Sequence, residues 1–538
     1  MTFRSALAAA ALAACCAAPA AGGELAPELR RAASAAAPAE RLAVIVRLDR
    51  PEPSADGESG RALGRRSALL RELRARADVS ATRVEPRLRA LGADRVRRLW
   101  AVGAIAASVP ASELEALARL DGVRDVRLDA RFDIGPITTA SAAGSSWNLA
   151  QLGVAPLWNL GIDGTGVVVA LLDSGVDARH QDLAPGFRGG PADWFDPHGE
   201  HDEPSDRNGH GTAVAGVLVG GSSTGEPIGV APGARWIAAK VFDDAGTTTL
   251  SAIHQAFQWA LDPDGSADTD DAPDVINASW GFPQLAGQCF LEFEEDIALA
   301  RQSGIAVVFS AGNEGPAAAS GVSPANNPGV LSVGSLDDLQ RVDPTSSRGP
   351  SACGEELFPK VTAPGVNVRS ADLTFGGLFP TSFRYVSGTS FAAPHVAGIA
   401  ALLAQSFPHA GAEAIEAAIR SGARDLGVPG ADHDSGHGAA DATGAFLALA
   451  EALGVVPAHC ADRDRDGFYG QEMCGTPVDC NDDDGATHPG ACDAAGDGTD
   501  RDCDGSDSGA CPARTVRRRL ATAPPAQAPA VKAHGANS

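Results

Sequence analysis

Four polar residues in this chain have the types and surroundings that acyl-transfer chemistry needs. Ser390 lies in Gly388-Thr389-Ser390-Phe391-Ala392-Ala393-Pro394-His395-Val396-Ala397-Gly398, a tight turn feeding a helix of small and aliphatic residues. At a helix N-terminus the backbone N–H is unpaired and the dipole favours developing negative charge. A nucleophilic hydroxyl and an oxyanion donor belong there. Such a hydroxyl is weak until a base takes its proton. His210, in Asn208-Gly209-His210-Gly211-Thr212, is the candidate base, with flanking glycines that leave its ring accessible. Asp173 closes an apolar run, where a carboxylate without a partner would be costly. An imidazole N–H would satisfy it and fix the tautomer that leaves Nε2 free for the serine proton. Asn313, in Ser310-Ala311-Gly312-Asn313-Glu314-Gly315, could donate its side-chain amide to an oxyanion. Read alone, Thr389 or Ser390 is an ordinary helix cap. The set of four points to chemistry.

These residues need a scaffold that brings them together. From Trp147 the chain alternates apolar strands with helical stretches, as a parallel sheet requires. Strands are expected over 167–172, 236–242, 275–279, 305–310 and 330–334. Helices are expected over 212–219, 250–261, 293–302, 393–405 and 412–420, with Pro394 in the first turn of its helix. Sites on such sheets gather at the carboxyl ends of the strands. Ahead of this block, residues 40–132 read as a small β-α-β-β-α-β unit: strand 42–48, helix 61–91, strand region 100–109, helix 111–120 and strand 123–128. Placed before a hydrolase-like block, the unit reads as a propeptide; the bland alternative is a free-standing binding domain. Residues 22–39, rich in Ala, Pro and Glu, read as a linker.

Composition sets further bounds. The chain has 538 residues, enough for several domains, and a net charge of −25, which argues against nucleic acid as a partner. Arginine is dense before residue 132 and aspartate after residue 459. No segment after the first residues is long and apolar enough to span a bilayer. Residues 1–21 read as an export signal, with Arg4 ahead of an Ala/Leu-rich run. Ala18-Pro19-Ala20 is a small-residue cleavage site. Leu12-Ala13-Ala14-Cys15 resembles a bacterial lipobox, in which Cys15 would carry the lipid. Either route places the other cysteines in an oxidising compartment, secreted or in the cell envelope. Cys289 and Cys353 could pair there, although sequence does not give their distance.

The order Asp173, His210, Asn313, Ser390 matches the subtilisin order and differs from the orders on two unrelated folds. With Asp173-Ser174-Gly175-Val176-Asp177, His180-Gln181-Asp182-Leu183 and the His210, Asn313 and Ser390 stretches, residues 147–455 resemble a subtilisin-like serine peptidase. The Trp194-Phe195-Asp196-Pro197 insertion is similar to the bacillopeptidase F-like branch. The resemblance implies an α/β, parallel-sheet, three-layer catalytic domain, preceded by a small ferredoxin-like α+β propeptide and followed by a small disulfide-rich segment. It implies an exported serine endopeptidase made as a propeptide-inhibited zymogen. Peptides and its own propeptide would be the partners, a monomer is expected, and no cofactor is needed for catalysis. The family's triad mechanics imply Ser390 as nucleophile, His210 as base, Asp173 as orienter and Asn313 as oxyanion donor. Ser279, Trp280 and Gly281 would form an edge that pairs with an extended substrate; Trp280 as plain core is the alternative. Val322 stands where the family often has a pocket-floor glycine. Asp182 matches a carboxylate that binds structural calcium in some relatives. His395 resembles a helix-packing position. His180, His198 and His201 read as surface residues rather than zinc ligands. The rival from another class is a catalytically silent binding scaffold on the same fold.

Residues 459–511 change character, with Cys460, Cys474, Cys480, Cys492, Cys503 and Cys511 in an Asp/Gly-rich stretch. Asp462, Asp464 and Asp466 have the spacing of a calcium loop, but Met473 stands where an EF-hand needs its bidentate glutamate, with Glu472 one residue early. Asp500, Asp502 and Asp504 repeat the theme. Structural calcium is expected here, on a segment resembling the short metal-binding repeats of exported bacterial proteins. The bland alternative is a disulfide-stapled spacer. Six cysteines allow 15 pairings and sequence does not choose. Residues 512–538 read as a disordered tail.

Overall fold

The stretch expected to be a linker is instead the first part of the N-terminal domain. The computed structural model describes residues 23–49, 63–135, 137–139, 147–354, 357–377 and 382–455, with scattered residues between 463 and 506. The N-terminal domain runs β1 (Glu24–Leu25), α1 (Pro27–Ala35), β2 (Arg41–Leu48), α2 (Leu63–Ala90), β3 (Asp94–Leu99), β4 (Ala104–Pro110), α3 (Leu114–Ala118) and β5 (Val123–Leu128). Leu25 and Leu29 are buried in its core, so a composition rich in Ala and Pro hid a strand and a helix. The sheet order is β1-β5-β2-β4-β3, a ferredoxin-like order extended by β1 on the edge. Trp100, expected inside a strand, lies in the turn between β3 and β4.

β6 (Arg131–Asp133) leads out of the N-terminal domain, and the chain continues through β7 (Thr138–Thr139), α4 (Trp147–Leu152), α5 (Ala155–Asn159), β8 (Val168–Asp173), β9 (Trp194–Phe195), α6 (His210–Val219), β10 (Arg235–Lys240), β11 (Thr247–Thr249) and α7 (Leu250–Leu261). It then forms β12 (Val275–Ala278), α8 (Glu294–Gln302), β13 (Ala306–Ser310), β14 (Leu331–Leu336), β15 (Val361–Pro364), β16 (Val368–Ala371), β17 (Phe383–Ser387), α9 (Thr389–Ser406), α10 (Ala412–Ser421) and α11 (Ala442–Leu453). Seven strands form one parallel sheet in the order β15-β14-β13-β12-β8-β10-β9.

Strand residues alternate between two buried faces, which is why these strands read as unbroken apolar runs. Ala170, Leu172, Ile276, Ala278, Val307 and Phe309 share one core with Phe257 of α7 and Ile297 of α8. Their neighbours Val169, Leu171, Val275 and Val308 are equally buried, on the side where α9 packs against β12 and β13. The result is a three-layer α/β domain. Ile45, Leu99, Ala104 and Ala106 of the N-terminal sheet join the α7/α8 core, so that sheet docks one face on these two helices. Its other face holds Val44, Val46 and Ile105 against Val84 and Leu88 of α2.

α9 begins at Thr389, four residues earlier than expected. Pro394 therefore lies inside the helix, and has no N–H to give the Ser390 carbonyl. The chain beyond residue 456 forms a separate compact unit. Among its described residues Cys480 is bonded to Cys503, with Cα atoms 5.6 Å apart.

Candidate active site

Asp173 ends β8 and His210 opens α6, and the sheet brings them into contact. His210 Nδ1 lies 2.7 Å from Asp173 Oδ1, and both side chains are buried. Burial alone would lower the His210 pKa, but the charge of Asp173 and its hydrogen bond outweigh it and hold the imidazole above its ordinary value. The Ser174 N–H also donates to Asp173 Oδ1, at 2.7 Å.

Asp206, which sequence reading missed, ties down the loop before His210. Its Oδ1 accepts from Asn208 N and Gly209 N, and its Oδ2 accepts from the Thr212 N–H and hydroxyl. The Ser174 hydroxyl donates to Asp206 and accepts from Gly211 N, linking the β8 end to the start of α6. Asp206 sits among turn-forming residues, where an aspartate normally signals a turn, so its type gave no cue.

Ser390 lies on the first turn of α9, half-buried, with its Oγ donating to the Ser279 carbonyl at 3.1 Å. No hydrogen bond joins Ser390 to His210 in this state, although the His210 ring lies 5.5 Å from that of neighbouring Phe391. Such contacts often close only with substrate bound. Asn313 Oδ1 accepts from both the N–H and the hydroxyl of Thr389, at 2.9 and 3.0 Å. Two donors on one oxygen fix the amide, which leaves Nδ2 as its donor beside the Ser390 turn. Gly388 shapes the turn through its backbone: its φ is 133°, which a side chain would strain, while a Cβ there would make only an ordinary contact with Asn313 Oδ1 at 3.4 Å.

Ser279 and Gly281 follow the end of β12. The Trp280 side chain is not at the cleft: it is buried, donates to the Leu172 carbonyl at 2.8 Å and packs edge-on to Phe309. Its contribution there is confined to backbone. A second edge pairing escaped sequence reading. β11 pairs antiparallel with β6, Thr248 opposite Phe132, and Ile134 N donates to Gly246 O at 2.9 Å. Three consecutive β-branched threonines after a glycine were the available signal.

Other expectations resolve individually. His180 is buried, not on the surface; its Nε2 bonds the Ser382 carbonyl and its Nδ1 accepts from Asp182 N. His198 and His201 are half-buried, bonded to Val241 O and Asp244 respectively. Glu200, His201 and Asp244 converge, but the Lys240 ammonium already sits 3.0 Å from Asp244. His395 bonds Phe391 O and Asn148 inside the core, and burial pushes its pKa down to about 4. Asp182 is buried; its Oδ1 accepts from Ser223 N at 2.7 Å, while its Oδ2 has no hydrogen-bond partner. Cys289 and Cys353 are bonded to each other. Asp462, Asp464, Asp466 and Asp504 lie outside the described residues; Asp500 and Asp502 lie beside the Cys480–Cys503 bridge.

A parallel three-layer domain with an Asp–His contact and a serine at the head of the central helix defines a serine peptidase of the subtilisin type. The Subtilase family model matches residues 164–438, and the chain belongs to that family. Bacillopeptidase F of Bacillus subtilis (strain 168) is 32% identical over 430 residues, 72% of this chain but 29% of that protein. The thermostable alkaline protease of Halalkalibacterium halodurans is 32% identical over 357 residues, covering 65% of this chain and 85% of that protein. The crystal structure of fervidolysin from Fervidobacterium pennivorans, a keratinolytic enzyme related to subtilisin, matches with a TM-score of 0.56 and 25% identity. That match covers 76% of this chain and 61% of fervidolysin.

Proposed function

We propose that the chain is an exported serine endopeptidase, made as a precursor that its own N-terminal domain inhibits. The Asp173–His210 contact at 2.7 Å carries this reading. Ser390 attacks the scissile carbonyl while His210 Nε2 takes its proton, and the same ring later returns a proton to the leaving amine. Asp173 holds the tautomer and stabilises the imidazolium. Asn313 Nδ2 and the Ser390 N–H receive the oxyanion.

Residues 23–135 act as the inhibitory domain, extending the boundary expected from sequence. Support comes from β6, which adds to the Thr247–Thr249 edge in the manner of a bound peptide. Phe132 packs with ring centroids 4.2 Å from Phe282. A chain of charged contacts, half-buried at Arg127 and buried beyond it, reinforces the docking: Arg127 contacts Glu292 at 2.6 Å, Glu292 contacts His254, and His254 contacts Asp296 at 2.8 Å. Burial would raise the Glu292 pKa, but His254 and Arg127 outweigh it and hold it down to about 2. With Phe132→Ala, the lag before full-length protein gains activity should shorten at least about tenfold, as loss of a half-buried aromatic anchor packed on Phe282 implies. An unchanged lag would separate β6 from inhibition.

Calcium fits two places. Asp182 offers a buried oxygen with no hydrogen bond, and the 459–511 module offers aspartates beside cysteines. Its role would be structural, because the triad chemistry needs no metal.

The test of the triad is a pH profile. His210 must be neutral to act as base, so labelling of Ser390 by a fluorophosphonate should fall away on the acid side, with a midpoint above ordinary imidazole. Asp173→Asn removes the charge that raises this pKa. Its residual labelling should be slower by about 10⁴, a magnitude known for such triads in general, and its midpoint should move to lower pH. A midpoint that stays put in Asp173→Asn would contradict the pairing.

A further inference from the structure

We propose that the Cys289–Cys353 bridge is a specificity element: it clamps the stretch that carries Val322, and its reduction loosens the wall that meets the substrate side chain next to the scissile bond. Three stretches of chain lie side by side here. The middle one, residues 319–327, holds Val322, buried and close against Gly281 and Gly312. On one side of it, Phe282 N donates to the Ser323 carbonyl at 3.1 Å and Gly287 N to the Gly321 carbonyl at 3.0 Å. On the other side, Ala319 N donates to the Gly349 carbonyl at 2.8 Å and Ser320 N to the Arg348 carbonyl at 3.0 Å. The two outer stretches then meet through sulfur. Cys289 follows the first and Cys353 the third, with Cα atoms 4.8 Å apart.

Side chains tie the middle stretch to the bridge itself. Ser323 Oγ accepts from Phe290 N at 3.0 Å and donates to Asn326 Oδ1 at 2.6 Å. Asn326 Nδ2 donates to the Gln288 carbonyl, next to Cys289, at 2.9 Å. From the other end, Ser351 Oγ donates to the Asn326 carbonyl at 2.6 Å and accepts from Cys353 N at 3.0 Å. Cys353 Sγ lies 3.5 Å from Asn327 Oδ1. Ser323 and Asn326 are buried, and a buried polar group must keep its partner. These two keep theirs only while the chain on either side of the bridge stays beside them.

Neither cysteine lies in a helix or strand; Cys289 is exposed and Cys353 half-buried, within reach of a small thiol. A dithiol such as dithiothreitol opens the bridge by two exchanges. The S–S bond breaks, the two cysteines take up the two thiol protons, and the dithiol closes to its own cyclic disulfide. The bridge spans 64 residues of sequence, so opening it frees the loop ends most. The acyl-transfer groups are held separately. Asn313 is fixed by two donors from Thr389, and Ser390 is carried on α9. A looser 319–327 stretch therefore weakens binding in the ground and transition states alike, which raises KM and spares kcat. The clamp rests on the Ser390 mechanism proposed above, which places the substrate side chain between the stretches leading to Ser279 and Asn313.

The experiment starts from full-length protein and assays it once active: oxidised, after dithiothreitol, and as the double variant Cys289→Ser/Cys353→Ser. For a peptide with alanine before the scissile bond, KM should rise about 2- to 10-fold in the last two, the range that ordering a loose wall at binding implies. The kcat should hold, and the kcat/KM ratio for phenylalanine over alanine at that position should rise as the wall yields. Labelling of Ser390 by a small fluorophosphonate, which does not reach the wall, should keep its rate. Dithiothreitol should not change the double variant further; a further change would assign the effect to another bridge, such as Cys480–Cys503, and overturn the clamp. If the double variant fails to fold, wild-type enzyme in dithiothreitol, with melting checked, gives the same readout. A lower melting temperature with unchanged KM and unchanged ratio in folded, labelled enzyme would make the bridge structural only and overturn the clamp alone. Oxidised wild-type enzyme that neither labels nor hydrolyses would overturn the Ser390 reading, and the clamp with it.

Discussion

Full-length protein with Ser390→Ala is expected to hydrolyse peptides no faster than background and to keep residues 23–135 attached. The expected loss in turnover is on the order of 10⁶, a magnitude known for this family's triad rather than derived from these distances. The stability cost should be small by comparison. Ser390 is half-buried, and its hydroxyl makes one hydrogen bond, to the Ser279 carbonyl at 3.1 Å. Losing it costs about 1 kcal/mol. A merely capping serine would give the reverse pattern, with a change in melting temperature and little change in turnover. Turnover and thermal melting of one purified preparation distinguish the two. Retained hydrolysis would end the assignment of Ser390, and removal of residues 23–135 without Ser390 would argue against self-processing.

The parts of the site that could be read from sequence are those whose neighbours in the chain give them away. Asp173 ends an apolar strand, His210 and Asn313 sit beside glycines, and Ser390 opens an apolar helix. Buried strands were legible for the same reason, because both faces of the sheet are covered and the runs are unbroken. Contacts set by tertiary structure were not legible. Nothing near Asp206 announces that it binds five donors, and nothing near His180 announces burial beneath Ser382. Trp280 has the type of an interface residue, but its indole N–H found the Leu172 carbonyl inside the core. Pro394 was placed one turn too early because proline is common at helix starts, whereas here α9 runs through it.

The charge asymmetry shows the same division. An arginine-dense N-terminal segment ahead of an acidic domain is visible in composition, and it fits a docked pair of domains. Which arginine meets which carboxylate is not visible. Arg127 and Glu292 are 165 residues apart, and Arg66 and Asp270 are 204 apart. The pairs also differ in kind. The contact of Arg71 with Asp268 is exposed on both sides and contributes little. The contacts of Arg127 with Glu292 and of Arg74 with Asp262 reach side chains that are 4% and 0% exposed while the two parts are docked, where a charge without its partner would be costly. His254 remains to pair with Glu292 once Arg127 leaves.

The second large effect is expected at Val322, in the choice of substrate. Val322 is buried, and its Cγ2 lies 2.5 Å from where a Cβ on Gly281 would stand and 2.9 Å from the same point on Gly312. It therefore fills the space between two chain segments. One leads back to Ser279, whose carbonyl receives Ser390; the other leads on to Asn313. On the proposed mechanism the side chain next to the scissile carbonyl enters between these segments. A valine there leaves room for a small side chain and meets a large one. Val322→Gly removes three carbons and opens the floor. For peptides that differ only in that residue, the ratio of kcat/KM for Phe over Ala should rise by about 10- to 200-fold, the range a few methylenes provide in an apolar pocket. Val322→Ala should give a smaller shift in the same direction. Some loss of stability is expected from the deleted methyl groups and from the freer glycine backbone, so the ratio is to be read from folded enzyme at saturating stability. Ratios unchanged in both variants would place Val322 behind the pocket wall rather than at its floor.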